Sequence, residues 1–140
     1  MKLNEKIKEY ILSRTVSSSE RRIGIEVECF IYKKNFSRIP VNKSKEYSAI
    51  DLLNELNKIN KDSNGTYSLE PGGQIEWSSP PCENMFELDD ALASYKSLID
   101  SILNKRKLSS LYIGVEPFTD PRNIESVSYT HLTLPTSYAV

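Results

Sequence analysis

A chain of 140 residues fits a single domain, and 39% hydrophobic with 26% charged residues is the composition of an ordinary folded protein. The formal net charge of -1 leaves no basic footprint for nucleic acid, and no apolar run approaches the ~20 residues that a membrane span needs. Two cysteines, Cys29 and Cys82, in a chain whose start MKLNEKIKEY has no signal-peptide core, favour free thiols and a cytoplasmic location, and are too few for a cysteine-built metal site.

In chain order, Leu3, Ile7, Tyr10 and Ile11 recur at helical spacing, and Ser17-Ser18-Ser19 ends that pattern. Residues 22–31 alternate as a strand, and a short strand is expected near Arg38 to Val41, with Pro40 placing it at an edge. Ile50, Leu53, Leu56 and Ile59 line one side of a second helix within Tyr47 to Asn60, closed by Asn64-Gly65. Tyr67-Ser68-Leu69 and Gln74 to Trp77 read as the two arms of a hairpin whose turn is Pro71-Gly72-Gly73. After Pro80-Pro81, Asn84 with Glu87 three residues on predicts a capping box, and Leu88, Leu92, Tyr95, Ile99 and Ile102 mark a long helix to about Lys105. Leu111 to Val115 is expected to be a further strand. Trp77 and the apolar stripe of the long helix are assigned to the core.

The acids stand out from this frame. Period 2 puts Glu26 and Glu28 on one face of their strand, with Gly24 and Phe30, and puts Ile23, Ile25, Val27 and Cys29 on the other. Their Cα atoms lie about 6.6 to 6.8 Å apart at a rise of ~3.3 to 3.4 Å per residue, near enough for both carboxylates to reach one cation. A wet strand face explains a single such pair. A second pair, Glu70 and Glu76, flanks the Pro-Gly-Gly turn, where backbone geometry needs the glycines and not the acids. Hard carboxylate oxygens suit magnesium, whereas one histidine and two distant cysteines do not suit zinc.

Arg22-Ile23-Gly24-Ile25-Glu26-Val27-Glu28, then Ser68-Leu69-Glu70-Pro71-Gly72-Gly73-Gln74-Ile75-Glu76-Trp77-Ser78, then Tyr112-Ile113-Gly114-Val115-Glu116-Pro117-Phe118, in that order and spacing, resemble the start of a glutamate-cysteine ligase of the plant and proteobacterial type. The resemblance spans roughly residues 20 to 127 and implies an α+β fold: part of an antiparallel sheet with packed helices, as in the glutamine synthetase-like catalytic core. By that likeness Glu26, Glu28, Glu70 and Glu76 take the metal-binding places; Gln74 is, by its own side chain, a candidate to hydrogen-bond substrate. The cofactors implied are Mg²⁺ and ATP as co-substrate, and the substrates are glutamate and cysteine. The reaction implied is attack of the glutamate γ-carboxylate on the terminal phosphoryl group of ATP, followed by capture of the acyl phosphate by the cysteine amine. The product, γ-glutamylcysteine, is the first intermediate of glutathione biosynthesis.

Several residues have plainer readings. Gln74 is also a hairpin polar group suited to a neighbouring backbone bond, Arg21 and Arg22 are expected in solvent, Cys29 in the core, and Cys82 inert for want of a base. Residues 128–140 contain no charge, whereas all 18 basic and 19 acidic residues precede them. That run resembles a translated adapter tail, so residues 1–127 are expected to be the N-terminal part of a ligase catalytic domain and 128–140 a non-native tail, with His131 given no role. A chain so truncated is expected to hold one wall of a site and to be inactive alone. The rival readings are another carboxylate-amine ligase of the same superfamily and a non-catalytic acidic module that binds cations.

Overall fold

The computed structural model describes residues 3–60, 64–123 and 125. Its regular elements are α1 (Leu3–Leu12), β1 (Glu26–Lys33), α2 (Ala49–Ile59), β2 (Thr66–Leu69), β3 (Ile75–Ser78), α3 (Met85–Lys105) and β4 (Leu108–Leu111). The four strands form one antiparallel sheet in the order β2-β3-β1-β4, with α2 against β2 and α3 against β4, which is the expected α+β architecture.

Local chemistry sets the helix starts. Ser48, wholly buried, accepts a bond from the Asp51 backbone N–H at 3.2 Å, and the Asp51 carboxylate accepts from the Ser48 N–H at 3.0 Å, a reciprocal cap that opens α2. At α3 the Asn84 Oδ1 accepts from the N–H groups of Phe86 and Glu87, both at 3.0 Å. Glu87 does not complete the expected box. Its carboxylate reaches the Glu83 N–H at 2.8 Å and the Asn84 side-chain amide at 3.0 Å, one residue short of the cap backbone. Lys107, at φ +56°, turns the chain out of α3 and into β4.

One face of the sheet makes the core. Cys29 and Ile31 of β1, Tyr67 and Leu69 of β2, and Ile75 and Trp77 of β3 pack against Leu52 and Leu56 of α2 and against Tyr95, Ile99, Ile102 and Leu103 of α3. Trp77 stacks on Tyr95 with centroids 4.7 Å apart and planes 5° apart, and its indole N–H donates to the Asn64 carbonyl at 2.7 Å.

Three boundaries differ from the sequence reading. β1 starts at Glu26 and not near residue 22, because Ile23 makes a separate bridge to Cys82 and the Ser79 hydroxyl replaces a ladder carbonyl at the Ile25 N–H. The stretch around Arg38 forms one bridge to Tyr32 and then turns to meet α2, where the N–H groups of Ala49 and Ile50 donate to the carbonyls of Pro40 and Val41. The last strand is Leu108–Leu111, earlier than Leu111 to Val115, because Lys107 reverses the chain directly after α3. α1 has the predicted spacing, yet Leu3, Ile7, Tyr10 and Ile11 are all exposed and no residue of the helix is buried.

Gly65, at φ +81°, lets the chain enter β2 beneath Trp77. A Cβ there would stand 2.1 Å from the Ser78 carbonyl oxygen and 2.7 Å from the Trp77 Nε1, both fixed groups. Gly65→Ala is therefore expected to cost more than the ~1 to 2 kcal/mol of a left-handed non-glycine residue alone. Equilibrium urea unfolding that matches the parent would show that Gly65 tolerates a side chain.

Candidate functional site

The face of the sheet turned away from the core carries the predicted acids. Register pairs Glu28 of β1 with Glu76 of β3, and Glu76 with Ser68 of β2, so these three side chains form one row across three strands. Neighbouring strands lie about 4.7–4.9 Å apart, which makes Glu28 and Glu76 direct cross-strand neighbours. Glu26 stands opposite Ser78 in the next row. Glu70 and Gln74 continue the face at the hairpin end, joined by the Glu70 N–H to the Gln74 carbonyl at 2.9 Å. Glu26, Glu28, Glu70 and Glu76 thus share one surface; period 2 predicts this for Glu26 and Glu28, while the pairing of β2 with β3 brings Glu70 and Glu76 to it.

The turn between them is tight. The Gly73 N–H returns to the Glu70 carbonyl at 2.9 Å, with Pro71 second and Gly72 third at φ +83°, the pattern of a type II turn. Gly73 follows at φ +81°, and a Cβ on it would come 2.6 Å from Val41 Cγ2. Both glycines are needed for left-handed backbone, and the second also for the close approach of residues 38–41.

Three of the four carboxylates, those of Glu28, Glu70 and Glu76, have a neutral donor beside them. The Glu76 carboxylate accepts from Ser68 at 3.1 Å and Ser78 at 3.3 Å, and the Glu70 carboxylate lies 3.4 Å from the same Ser68 hydroxyl. Gln74, only 8% exposed, donates through Nε2 to Glu28 at 2.9 Å and to the Ile113 carbonyl at 3.4 Å. Burial pushes the Glu70 carboxyl above its ordinary range, and the charges of Glu76, Glu28 and Glu26 push it further. The other three acids are therefore felt at Glu70. A shallow cavity of about 330 Å³ opens on this face between Glu26 and Glu28 and the segment Tyr112 to Gly114.

The donor chemistry fits a hard divalent cation: four carboxylates on one face, partly exposed, with mutual repulsion that a cation would relieve. Among the described residues no three acids, histidines or cysteines converge on one point as they stand. Glu28 is turned toward Gln74 and Glu76 toward the serines, so joint coordination requires side-chain rotation on a fixed backbone.

Two groups on this side escape a reading from sequence. Phe30 lies on the acid face yet is 4% exposed, because the Arg38 guanidinium sits 4.6 Å above its ring centroid. Tyr32, next on that face, is covered edge-on by Phe118 and donates its hydroxyl to Glu116 at 2.7 Å. Burial pushes the Glu116 carboxyl up, but bonds from Tyr32, Thr119 and Phe118 outweigh it and leave the group below the ordinary carboxylate range. Glu116 falls inside the YIGVEPF segment, where its position before a proline is the one available signal; Arg38 has none.

The remaining candidates fall where plain packing puts them. Arg22 is exposed and pairs with Glu83 at 2.9 Å, Cys29 is fully buried with its thiol pushed up to about 11 by burial, and Cys82 is buried beside the Ile23 bridge. His131 and the rest of 126–140 lie outside the described residues.

A carboxyl raised on folding stabilises the protein below its unfolded value, and that contribution is lost as pH rises through its folded value. Glu70→Gln is therefore expected to melt a few degrees above the parent at pH 7 in chelator, with the gap closing as the pH falls to the ordinary carboxylate range. A variant that melts lower at pH 7 would show that the Glu70 charge is not under strain.

A comparison with curated proteins finds no match. Residues 22–133 match the family described as glutamate-cysteine ligase family 2, a span that holds β1, the Pro-Gly-Gly hairpin, α3 and the Glu116 segment. On that match, which covers most of its length, the chain belongs to glutamate-cysteine ligase family 2.

Proposed function

We propose that this chain carries the ion-holding face of an ATP-dependent ligase that joins the γ-carboxylate of L-glutamate to the amine of L-cysteine. The observation that carries the reading is the single surface shared by Glu26, Glu28, Glu70 and Glu76, in a chain of this family, with Glu70 raised by burial and further by the other three charges. Glu28 and Glu76 face each other at the centre, and Glu26 and Glu70 flank them as further oxygen donors. Magnesium, when held there, neutralises charge on the phosphates of ATP.

The residues of the chain then have separable tasks. The carboxylates would hold the ion that meets the phosphates; Gln74, bonded to Glu28 and to the Ile113 carbonyl, orients the Glu28 carboxylate and keeps its amide oxygen for a substrate donor. In the reaction the glutamate γ-carboxylate oxygen bonds to the terminal phosphorus as the bond to ADP breaks. The cysteine nitrogen then bonds to the carbon of the activated γ-carboxyl group as inorganic phosphate leaves and the amine gives up a proton. In-line transfer also needs groups that orient the nucleotide and both substrates. The four carboxylates do not supply them, so the 140 residues alone are expected to hold the ion without turnover.

Manganese, as a spectroscopic substitute for magnesium, tests the reading directly. Mn²⁺ titrated into the purified chain is expected to bind, and Glu28→Gln or Glu70→Gln is expected to weaken binding roughly tenfold or more, with the far-ultraviolet circular dichroism unchanged. No binding by the parent, or equal binding by both variants, overturns it. An assay with ATP, glutamate and cysteine that yields γ-glutamylcysteine from the 140 residues alone would overturn the division of tasks.

A further inference from the structure

The turn that separates Glu70 from Gln74 contains a peptide unit, Gly72–Gly73, with glycine on both sides. Glycine samples both signs of φ about equally, so this unit is the least restrained in the hairpin by its own chemistry. It is nonetheless buried, and the Gly72 carbonyl accepts a bond from the Arg38 guanidinium. The Arg38 side chain is itself held from other directions: its plane lies over Phe30, and the charges of Glu116 and Glu125 favour its cationic form against the burial that lowers its pKa. The Glu125 carboxylate in turn receives the Val41 N–H at 2.9 Å and the Asn42 side-chain amide at 2.8 Å, which fixes the segment that bears Arg38.

We propose that Arg38 is a positioning residue: by holding the Gly72 carbonyl it locks the Gly72–Gly73 peptide and so sets Gln74 against Glu28 and Glu70 against Glu76. A guanidinium suits the task because it donates along its edge to a carbonyl while its face rests on an aromatic ring. Without it, the Gly72–Gly73 peptide is held only by the turn bond from the Gly73 N–H to the Glu70 carbonyl, the 2.9 Å contact from Gln74 to Glu28 loosens, and the carboxylates lose their common geometry. The effect on metal rests on the ion-holding reading above; the effect on the turn does not.

The experiment uses the full chain with Arg38→Met, Arg38→Lys and, as a control for lost stability, Leu56→Ala in the core. Two readouts are taken: the amide signals of Gly72, Gly73 and the Gln74 side chain by nuclear magnetic resonance, and Mn²⁺ affinity. Arg38→Met is expected to shift or broaden those signals and weaken Mn²⁺ binding roughly tenfold, Arg38→Lys to recover part of both, and Leu56→Ala to change neither in the folded protein. Parent-like turn signals in Arg38→Met, or the same changes in Leu56→Ala, overturn the proposal. If Arg38→Met does not fold, Arg38→Leu takes its place, and parent-like turn signals in it overturn the proposal. A parent chain that binds no Mn²⁺ defeats the ion-holding reading, while the turn signals still decide the role of Arg38.

Discussion

The register of β1 against β3 is held from the core side, and the acid face follows from it. Trp77, stacked on Tyr95 and bonded to Asn64, stands opposite Val27, which places Glu76 opposite Glu28 one residue on. A slip of one residue turns every side chain of a strand to the other face. It would put Trp77 and Ile75 into water and Glu76 into the core, where burying one large apolar side chain the right way is worth about 1.5–3 kcal/mol and an unpaired buried carboxylate costs several. The apolar half of the sheet therefore dictates where the carboxylates stand, with no attraction among the carboxylates required.

That placement has an electrostatic cost which the neighbours reduce but do not remove. Ser68 and Ser78 donate to Glu76, and Gln74 to Glu28, yet none of these donors is charged. Neutral hydrogen bonds to a carboxylate contribute about 1.5–3 kcal/mol at best, and they leave like charges on adjacent strands facing one another. Arg38 does not offset this charge directly, since its electrostatic partners are Glu116, Tyr32 and Glu125 on the far side of the turn. On the proposed reading, a divalent cation held by this face would relieve that repulsion once the serines and Gln74 released the carboxylates to it.

Much of this was legible in the sequence because it is local or periodic. Alternation along β1 separates Glu26 and Glu28 from Val27 and Cys29, the Pro-Gly-Gly turn fixes the hairpin, and the stripe Leu88 to Ile102 ends near Lys105 as the helix does. What periodicity does not carry is who lies across a gap in sequence. Phe30 reads as an exposed member of the acid face and is buried because Arg38, eight residues on, folds back over it. Glu116 reads as one acid in a loop and is buried by a tyrosine 84 positions away. α1 shows the converse: its apolar spacing predicts the helix correctly but says nothing of what covers it, and no described element does.

Three short segments far apart in the chain carry the likeness to the ligases, and in the fold they touch. Gln74 of the second segment bonds to Glu28 of the first and to the Ile113 carbonyl of the third, and Glu116 of the third takes the hydroxyl of Tyr32, four residues beyond Glu28 on the same face of β1. Arg38 closes the circuit from Phe30 to the Gly72 carbonyl. A motif that served only a turn would need its glycines, and one that served only a strand would need its apolar residues. Polar atoms of each segment instead meet those of another at hydrogen-bond distance, so altering Gln74 leaves Glu28 without its donor, and altering Glu116 leaves a buried tyrosine hydroxyl and two backbone N–H groups unpaired. The three segments are one unit of structure for that reason, and the family match from 22 to 133 contains all of it.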